Sequence, residues 1–322
     1  MDSASASSPS VVGLGEVMVL FVADQPGALR EAAIFHRHIA GAESNVAVGL
    51  VRLGESAGYI TRLGDDEFGH AIAFRLRGEG VDISQVRFDS SAPTGVLFRE
   101  RRELGPVNVV YYRRGSAASR LTPDDLDSGY IQKARYLVLS GITPALSESC
   151  RATTFAAAEV ARAAGVQVVV DPNVRLKLWS ADEARAVIRD LIRHADLVLP
   201  GLDEATLLTG ESDPLAAATA LLNLGPRLVV LKLGARGALA VSAAGSLEAT
   251  ALSLPRVVDP IGAGDAFAAG FLASQLRRLD LGASLAIANQ CGARAMMVPA
   301  DQEGLPYVED IFGPAASGDV RR

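Results

Sequence analysis

The rhythm of apolar and polar positions changes near residue 130. Beyond that point short β-branched runs alternate with longer amphipathic ones. Stretches 136–140, 166–170, 197–200 and 228–231 read as buried strands, and 147–164, 181–194, 214–224, 263–278 and 281–297 as helices. Ser180 with Glu183 three residues on predicts a capping box at the head of the 181–194 helix. Strands alternating with helices argue for a mostly parallel sheet covered on both faces.

The front of the chain reads differently. Stretches 11–22, 58–62, 95–101 and 108–113 have strand character, with helical patterns only around 44–53 and 67–79. Several of these strands carry charged residues, as a sheet with one solvated or ligand-facing side requires. The expectation is one folded unit over 11–312, with a small β lid built within about 11–40 and 95–115. Flexible tails are expected at 1–10 and 313–322.

Composition narrows the class. With 49% hydrophobic and 21% charged residues the chain is ordinary globular protein, and scarce aromatics favour helices packed on a sheet over an all-β sandwich. A formal charge of −6 does not suit a nucleic-acid binder. Cys150 and Cys291 stand far apart without metal-ligand spacing and read as reduced core thiols. No apolar run is long enough for a bilayer, and the Ser/Ala-rich start lacks the features of a signal peptide. No membrane partner and a cytoplasmic location are therefore expected.

The strongest chemical signal runs from Asp259 through Pro260, Ile261, Gly262, Ala263, Gly264 and Asp265 to Phe271. A strand ending at Val257 and Val258 is expected to enter a turn there, with a helix starting near Gly264. Gly262 and Gly264 permit backbone angles that aim successive N–H groups into one cavity. With the helix N-terminus they make an anion site suited to a phosphoryl group in transfer. Asp265, just inside, can accept a proton from an attacking hydroxyl. Helix N-termini also favour the ionised carboxylate, which weakens it as a base. A loose phosphoryl-transfer transition state makes positioning count for more. A capped Gly-rich turn is the bland alternative, and thirteen residues in this order outweigh it.

That segment resembles the C-terminal signature of the ribokinase-like (phosphofructokinase-B) sugar kinases. The resemblance covers roughly 11–310. It sharpens at Gly41–Ala47, Tyr111–Ser119 and Asp171–Trp179, which resemble the 2-keto-3-deoxygluconate kinases of that family. It implies a Rossmann-like three-layer α/β/α core with a β lid, ATP and Mg2+ as cofactors, and a small sugar acid as substrate. It assigns Gly262, Ala263, Gly264 and Asp265 to catalysis. Gly41, Asn45, Tyr111, Arg113, Arg175 and Asp301 would meet the substrate. Asn173, Gly201, Lys232, Gly234, Gly237 and Asn289 would meet ATP, and Glu204 the metal, through water. Gly201 stands where the family's Asn-x-x-Glu element has its Asn, so that element is incomplete.

Residue logic runs beside the resemblance. Tyr111 and Arg113, two apart on a strand, share a face. Arg175 follows Asp171-Pro172 at a strand's C-terminal end, where open α/β sheets bind ligands. Two arginines exceed what a neutral sugar needs and match a carboxylate. Taken singly, each can equally be a surface charge. Ser44 or Asn45 can cap a helix instead of touching sugar. Leu97, where such kinases often carry Tyr, and Ile261, in place of a frequent Thr, leave a neutral ketose or pentose open as substrate. A catalytically silent binder of the same fold is the rival from another class. His36 and His38 lack a third metal ligand nearby and read as solvated side chains. Gly13-Leu14-Gly15 begins a dinucleotide fingerprint, but no third glycine follows and 16–20 continue as strand, against hydride chemistry. A lid sheet with an exposed face makes a homo-oligomer the expectation.

Overall fold

The computed structural model describes residues 8–102 and 107–313 of the 322-residue chain. In chain order the strands are β1 (Val11–Leu14), β2 (Met18–Pro26), β3 (Phe35–Ala40), β4 (Ala57–Gly64), β5 (Val86–Asp89), β6 (Val96–Arg101), β7 (Val109–Tyr112), β8 (Tyr136–Ser140), β9 (Gln167–Asp171), β10 (Leu197–Val198), β11 (Leu228–Lys232), β12 (Ala238–Ser242) and β13 (Gly245–Ala249). The helices are α1 (Ala42–Arg52), α2 (Glu67–Glu79), α3 (Ser128–Ile131), α4 (Glu148–Ala163), α5 (Ala181–Ile192), α6 (Leu202–Thr209), α7 (Pro214–Leu222), α8 (Ala263–Leu276), α9 (Leu281–Ala295) and α10 (Val308–Ile311).

Nine strands form the large sheet in the order β13-β12-β11-β10-β9-β8-β1-β4-β5, parallel except where β12 and β13 turn back. Its strands feed two cores because successive side chains point to opposite faces. Tyr136, Val138 and Val169 pack with α1, α2, α8 and α9, whereas Leu137, Leu139, Val168 and Val170 pack with α4 to α7. That is the three-layer α/β/α arrangement. Small residues set the helix spacing on the first face. A Cβ on Gly49 would lie 2.7 Å from Ala269 Cβ, and one on Gly270 2.6 Å from Cys291 Sγ. Cys150 and Cys291 are both free and buried.

A second sheet, β3-β2-β6-β7, stands apart. Its one face carries Met18, Leu20, Ala40 and Leu97, and its other face the stacked rings of Phe21 and Phe98, with Phe35 and Tyr112 against Phe98.

Three local expectations are corrected. Stretch 11–22 is two strands in different sheets, broken at 15–17. Gly15 there leaves room for the Glu43 carboxyl, which a Cβ would meet at 2.5 Å. No strand ends at Val257–Val258. The N–H groups of Val258 and Asp259 donate to Met296 O at 2.8 and 3.2 Å, so the end of α9 holds this segment and no sheet does. At α5 only half of the capping box forms. Ser180 Oγ accepts from Glu183 N at 3.2 Å, but the Glu183 carboxylate pairs with Arg151 at 2.6 Å. Strands β5 and β13 had no counterpart in the reading of the sequence.

At the chain ends, Ser10 already belongs to the folded unit. Its N–H donates to Ser56 O, and its carbonyl accepts from Arg135 and Tyr136 N–H. Residues 1–7 of the expected N-terminal tail and 314–322 of the C-terminal one lie outside the described residues.

Gly237, assigned to ATP by resemblance, has a packing role of its own. Its φ is 101°, and a Cβ would come 2.0 Å from Ala249 O on β13. Gly237→Ala should therefore cost at least about 1–3 kcal/mol. An unchanged urea midpoint would show that the hairpin tolerates the methyl group.

Candidate active site

The C-terminal ends of the parallel strands open into a cavity of about 780 Å3 facing the small sheet. Glu16 after β1, Ile142 after β8, Asp171 at the end of β9, Gly201 after β10 and Lys232 at the end of β11 line its floor. Met18, Leu20, Leu97, Arg99, Val109 and Tyr111 form the opposite wall. The crevice at the carboxyl ends of the strands is where open α/β sheets place ligands.

The glycine turn closes one side. Gly262 sits at φ 80°, and a Cβ there would strike Asp301 O at 2.6 Å. Only glycine fits that bend. Ala266 N–H is the first to reach back, to Gly262 O at 2.9 Å, which leaves the N–H groups of Ala263, Gly264 and Asp265 ahead of the helical ladder. These are the donors an anion would find.

Asp265 lines the cavity from the first turn of α8. Withdrawal from water raises its pKa to about 6, against the opposing hydrogen bond from Asn45. Asp171 raises it further, while Lys232 and Arg175 lower it. Asn45 Nδ2 donates to Asp265 Oδ2 at 2.8 Å. Desolvation thus outweighs the Asn45 hydrogen bond, and the carboxylate is a stronger base than an ordinary aspartate.

Lys232 turns out to face the glycine turn. Its Nζ lies 2.6 Å from Asp171 Oδ2 and 3.4 Å from where a Gly264 Cβ would stand. Burial opposes its charge, but Asp171 and Glu204 more than offset this and hold its pKa above the ordinary lysine value. The lysine is a fixed cation beside the N–H cluster.

Glu204 lines the same cavity, and both its oxygens are engaged. Gly201 N donates to Oε2 at 2.8 Å and Val174 N to Oε1 at 2.9 Å. Burial, then the Asp171 charge, raises its pKa. Among the described residues no group of three or more His, Cys, Asp or Glu is gathered for a metal. Mg2+ usually keeps several waters and takes one or two carboxylates plus phosphate oxygens. Glu204 and Asp171 on one wall fit that hydrated mode and not a protein cage.

The remaining site residues divide. Gly41, Asn45, Tyr111, Arg113, Asn173, Arg175, Gly201, Gly234 and Asp301 line the cavity with Asp265, Gly262 and Gly264. Gly237 and Asn289 do not, and neither does Ala263. Asn289 Nδ2 donates to Ala249 O and Thr250 O at 3.1 Å each, so Gly237 and Asn289 both meet the end of β13 and the residues that follow it. Tyr111 and Arg113 do share a face, the guanidinium lying 5.5 Å from the ring centroid. Arg113 is no solvated edge charge. It is buried and paired with Glu16, which also accepts from Ser116 Oγ at 2.5 Å, and its Nε–H is left without a partner. Arg175 is exposed, with Nη1 on Val174 O at 3.2 Å. Helix α1 receives no side-chain cap, so neither Ser44 nor Asn45 serves as one.

Four residues were given no role in the reading of the sequence. Glu16 and Arg99 line the cavity. Glu43, whose pKa burial lifts to about 7, accepts from Ser140 and Thr143 behind Gly15. Gln302 holds Asn45. Arg99 donates to Asp259 at 2.6 Å and to Asp301 at 3.5 Å. Burial lifts the Asp301 pKa to about 7 even so. The histidines are spoken for separately: His36 meets Asp24 at 2.6 Å and His38 meets Glu303 at 2.8 Å. Gly13-Leu14-Gly15 leads into β2 and not into a helix.

Comparison with known proteins bears on this geometry. The model of the pfkB family carbohydrate kinases matches residues 8–306. The 2-dehydro-3-deoxygluconokinase of Bacillus subtilis (strain 168) is 40% identical over 303 residues, covering 93% of both chains. Probable fructokinase-7 of Arabidopsis thaliana is 38% identical, covering 89% of this chain and 87% of its own. A solved structure of a putative ribokinase II from E. coli, in complex with ATP and Mg2+, superposes with a TM-score of 0.88 at 26% identity, over 94% of this chain and 98% of that one.

Proposed function

The chain belongs to the pfkB family of carbohydrate kinases and is a sugar kinase, and from that premise we propose that it transfers the γ-phosphoryl group of ATP to a primary hydroxyl of a small sugar acid, most closely 2-keto-3-deoxy-D-gluconate. The observation that carries this reading is the Asp265 carboxylate in the first turn of α8, beside free amide donors, in a cavity shared by both sheets.

Asp265 takes the proton of the attacking hydroxyl. The amides of Ala263, Gly264 and Asp265, with Lys232, gather the charge that spreads over the phosphoryl oxygens. Gly201, Asn173 and Gly234 flank the nucleotide phosphates from the strand ends, and Gly237 and Asn289 shape the adenosine side through the chain after β13. Glu204 would hold Mg2+ through water, and the ion would supply neutralisation of the nucleotide's phosphate charge. The small sheet serves as a lid whose closure excludes water.

Arg175 and Arg113, with Tyr111, line one side of the cavity and suit a carboxylate. The identity to a 2-dehydro-3-deoxygluconokinase supports the same choice. A second reading, a neutral ketose, draws on the Glu16–Arg113 pair, which already neutralises one arginine, and on the fructokinase relative. Arg175→Ala separates them. It should raise KM for the sugar acid about 10- to 100-fold with a smaller change in kcat, the loss of one charged hydrogen bond. An equal rise for fructose would favour the neutral sugar.

A further inference from the structure

Three consecutive residues stand between the small sheet and Asp265, and each reaches a different partner. Asp301 Oδ1 accepts from Arg99 Nη1 of β6 at 3.5 Å, and Glu303 Oε1 meets His38 Nδ1 of β3 at 2.8 Å. Between them, Gln302 Nε2 donates to Asn45 Oδ1 at 3.1 Å, and Asn45 Nδ2 donates to Asp265 Oδ2 at 2.8 Å. A primary amide has one accepting end and one donating end. With a donor placed on its oxygen, Asn45 can present only its NH2 group to Asp265. Turned round, it would set an oxygen against the carboxylate.

The segment is held from several sides. Gln302 is 1% exposed, and its carbonyl accepts from Arg52 Nη1 at 2.7 Å. Ala300 adopts φ 76°, a conformation that alanine keeps only where its surroundings enforce it. Its N–H donates to Asp259 Oδ2 at 3.1 Å, the oxygen that also receives Arg99 Nη2. Gln302 Oε1 is buried with no partner. An apolar side chain of similar size would fill this space without stranding an acceptor. What the amide adds is the bond to Asn45.

We infer that Gln302 is a positioning residue for the catalytic base, and that 301–303 form a strap tying the orientation of that base to the seating of the small sheet through Arg99 and His38. The inference rests on Asp265 being the base. The charged groups acting on Asp265 are Asp171 from β9, Lys232 from β11 and Arg175 from the loop after β9, while Glu43 of α1 and Asp301 feel its charge in turn. A change at Gln302 alters none of these charges.

The test is the pH profile of kcat/KM for wild type, Gln302→Leu, Arg99→Gln, the double variant and Asp265→Asn. Gln302→Leu frees Asn45 to turn and removes a donor from the Asp265 carboxylate, so the acid limb should move up by about one pH unit. Its kcat should fall about tenfold with KM for ATP unchanged. Arg99→Gln should move the limb the same way by less, and the double variant no further than Gln302→Leu alone. Should Gln302→Leu fail to fold, Gln302→Asn, too short to reach Asn45, gives the same readout. An acid limb that stays in place in a folded Gln302 variant overturns the strap and leaves the base standing. Undiminished turnover by Asp265→Asn overturns the base and the strap with it.

Discussion

Asp265→Asn should lower kcat by about 100- to 10,000-fold, the usual worth of a positioned general base, while the protein remains folded. The wild-type profile should carry the same signature. With the Asp265 pKa raised by burial to about 6, kcat/KM should climb as pH rises to about 6 and level off above it. Stability should run the other way. Between the ordinary value of 3.8 and about 6 the folded chain keeps a proton that the unfolded chain has released. This group therefore favours folding at low pH, and its contribution declines as pH rises through that window. Asparagine carries no charge to desolvate, so the variant should melt no lower than wild type at pH 7. A large loss of turnover with an unchanged or higher Tm separates a catalytic role from a structural one. Loss of both together would contradict it.

The second large effect is expected at Lys232. Lys232→Met removes the cation whose Nζ lies 3.4 Å from where a Gly264 Cβ would stand, and kcat should fall about 100- to 1,000-fold, in line with the loss of one preorganised transition-state contact. It also leaves Asp171 without its partner. Breaking one half of a nearly buried pair costs about 3–5 kcal/mol. Stability and turnover can be separated by adding Asp171→Asn. The double variant should regain most of the lost urea midpoint and none of the lost kcat. Recovery of turnover with stability would make Lys232 a purely structural cation.

Much of this arrangement was legible before any coordinates. The largely buried runs of β8, β9 and β11 alternate with amphipathic helices, and period and composition alone assign both. The glycine turn was legible because Gly262 and Gly264 have few reasons to stand two apart before a helix. The small sheet was harder. Between β1 and β2 the chain leaves one sheet for another inside a single apolar run, and no turn residue beyond Gly15 marks the break. The supposed strand at Val257–Val258 fails for a related reason: β-branched residues fit an extended chain whether or not a neighbouring strand pairs with it.

The site divides along the same line. Residues within one short motif could be placed together, because local spacing fixes their geometry. Lys232 was given to the nucleotide on the strength of its loop, yet its neighbour in space is Asp171, sixty-one residues earlier. Arg99 and Gln302 gave no signal at all. Each acts through a partner far away in sequence, and an arginine on a lid strand or a glutamine after a Pro-Ala-Asp stretch is locally unremarkable. Arg113 was read as free to meet a carboxylate. Its pairing with Glu16 depends on the register between the two sheets, which no single-chain pattern encodes.

The most direct test of the whole account is ADP release by the purified protein, with MgATP, across 2-keto-3-deoxygluconate, fructose and ribose. Release that depends on the sugar acid and exceeds that with either neutral sugar is the predicted result. Background release with all three, or greatest turnover with fructose, would contradict it.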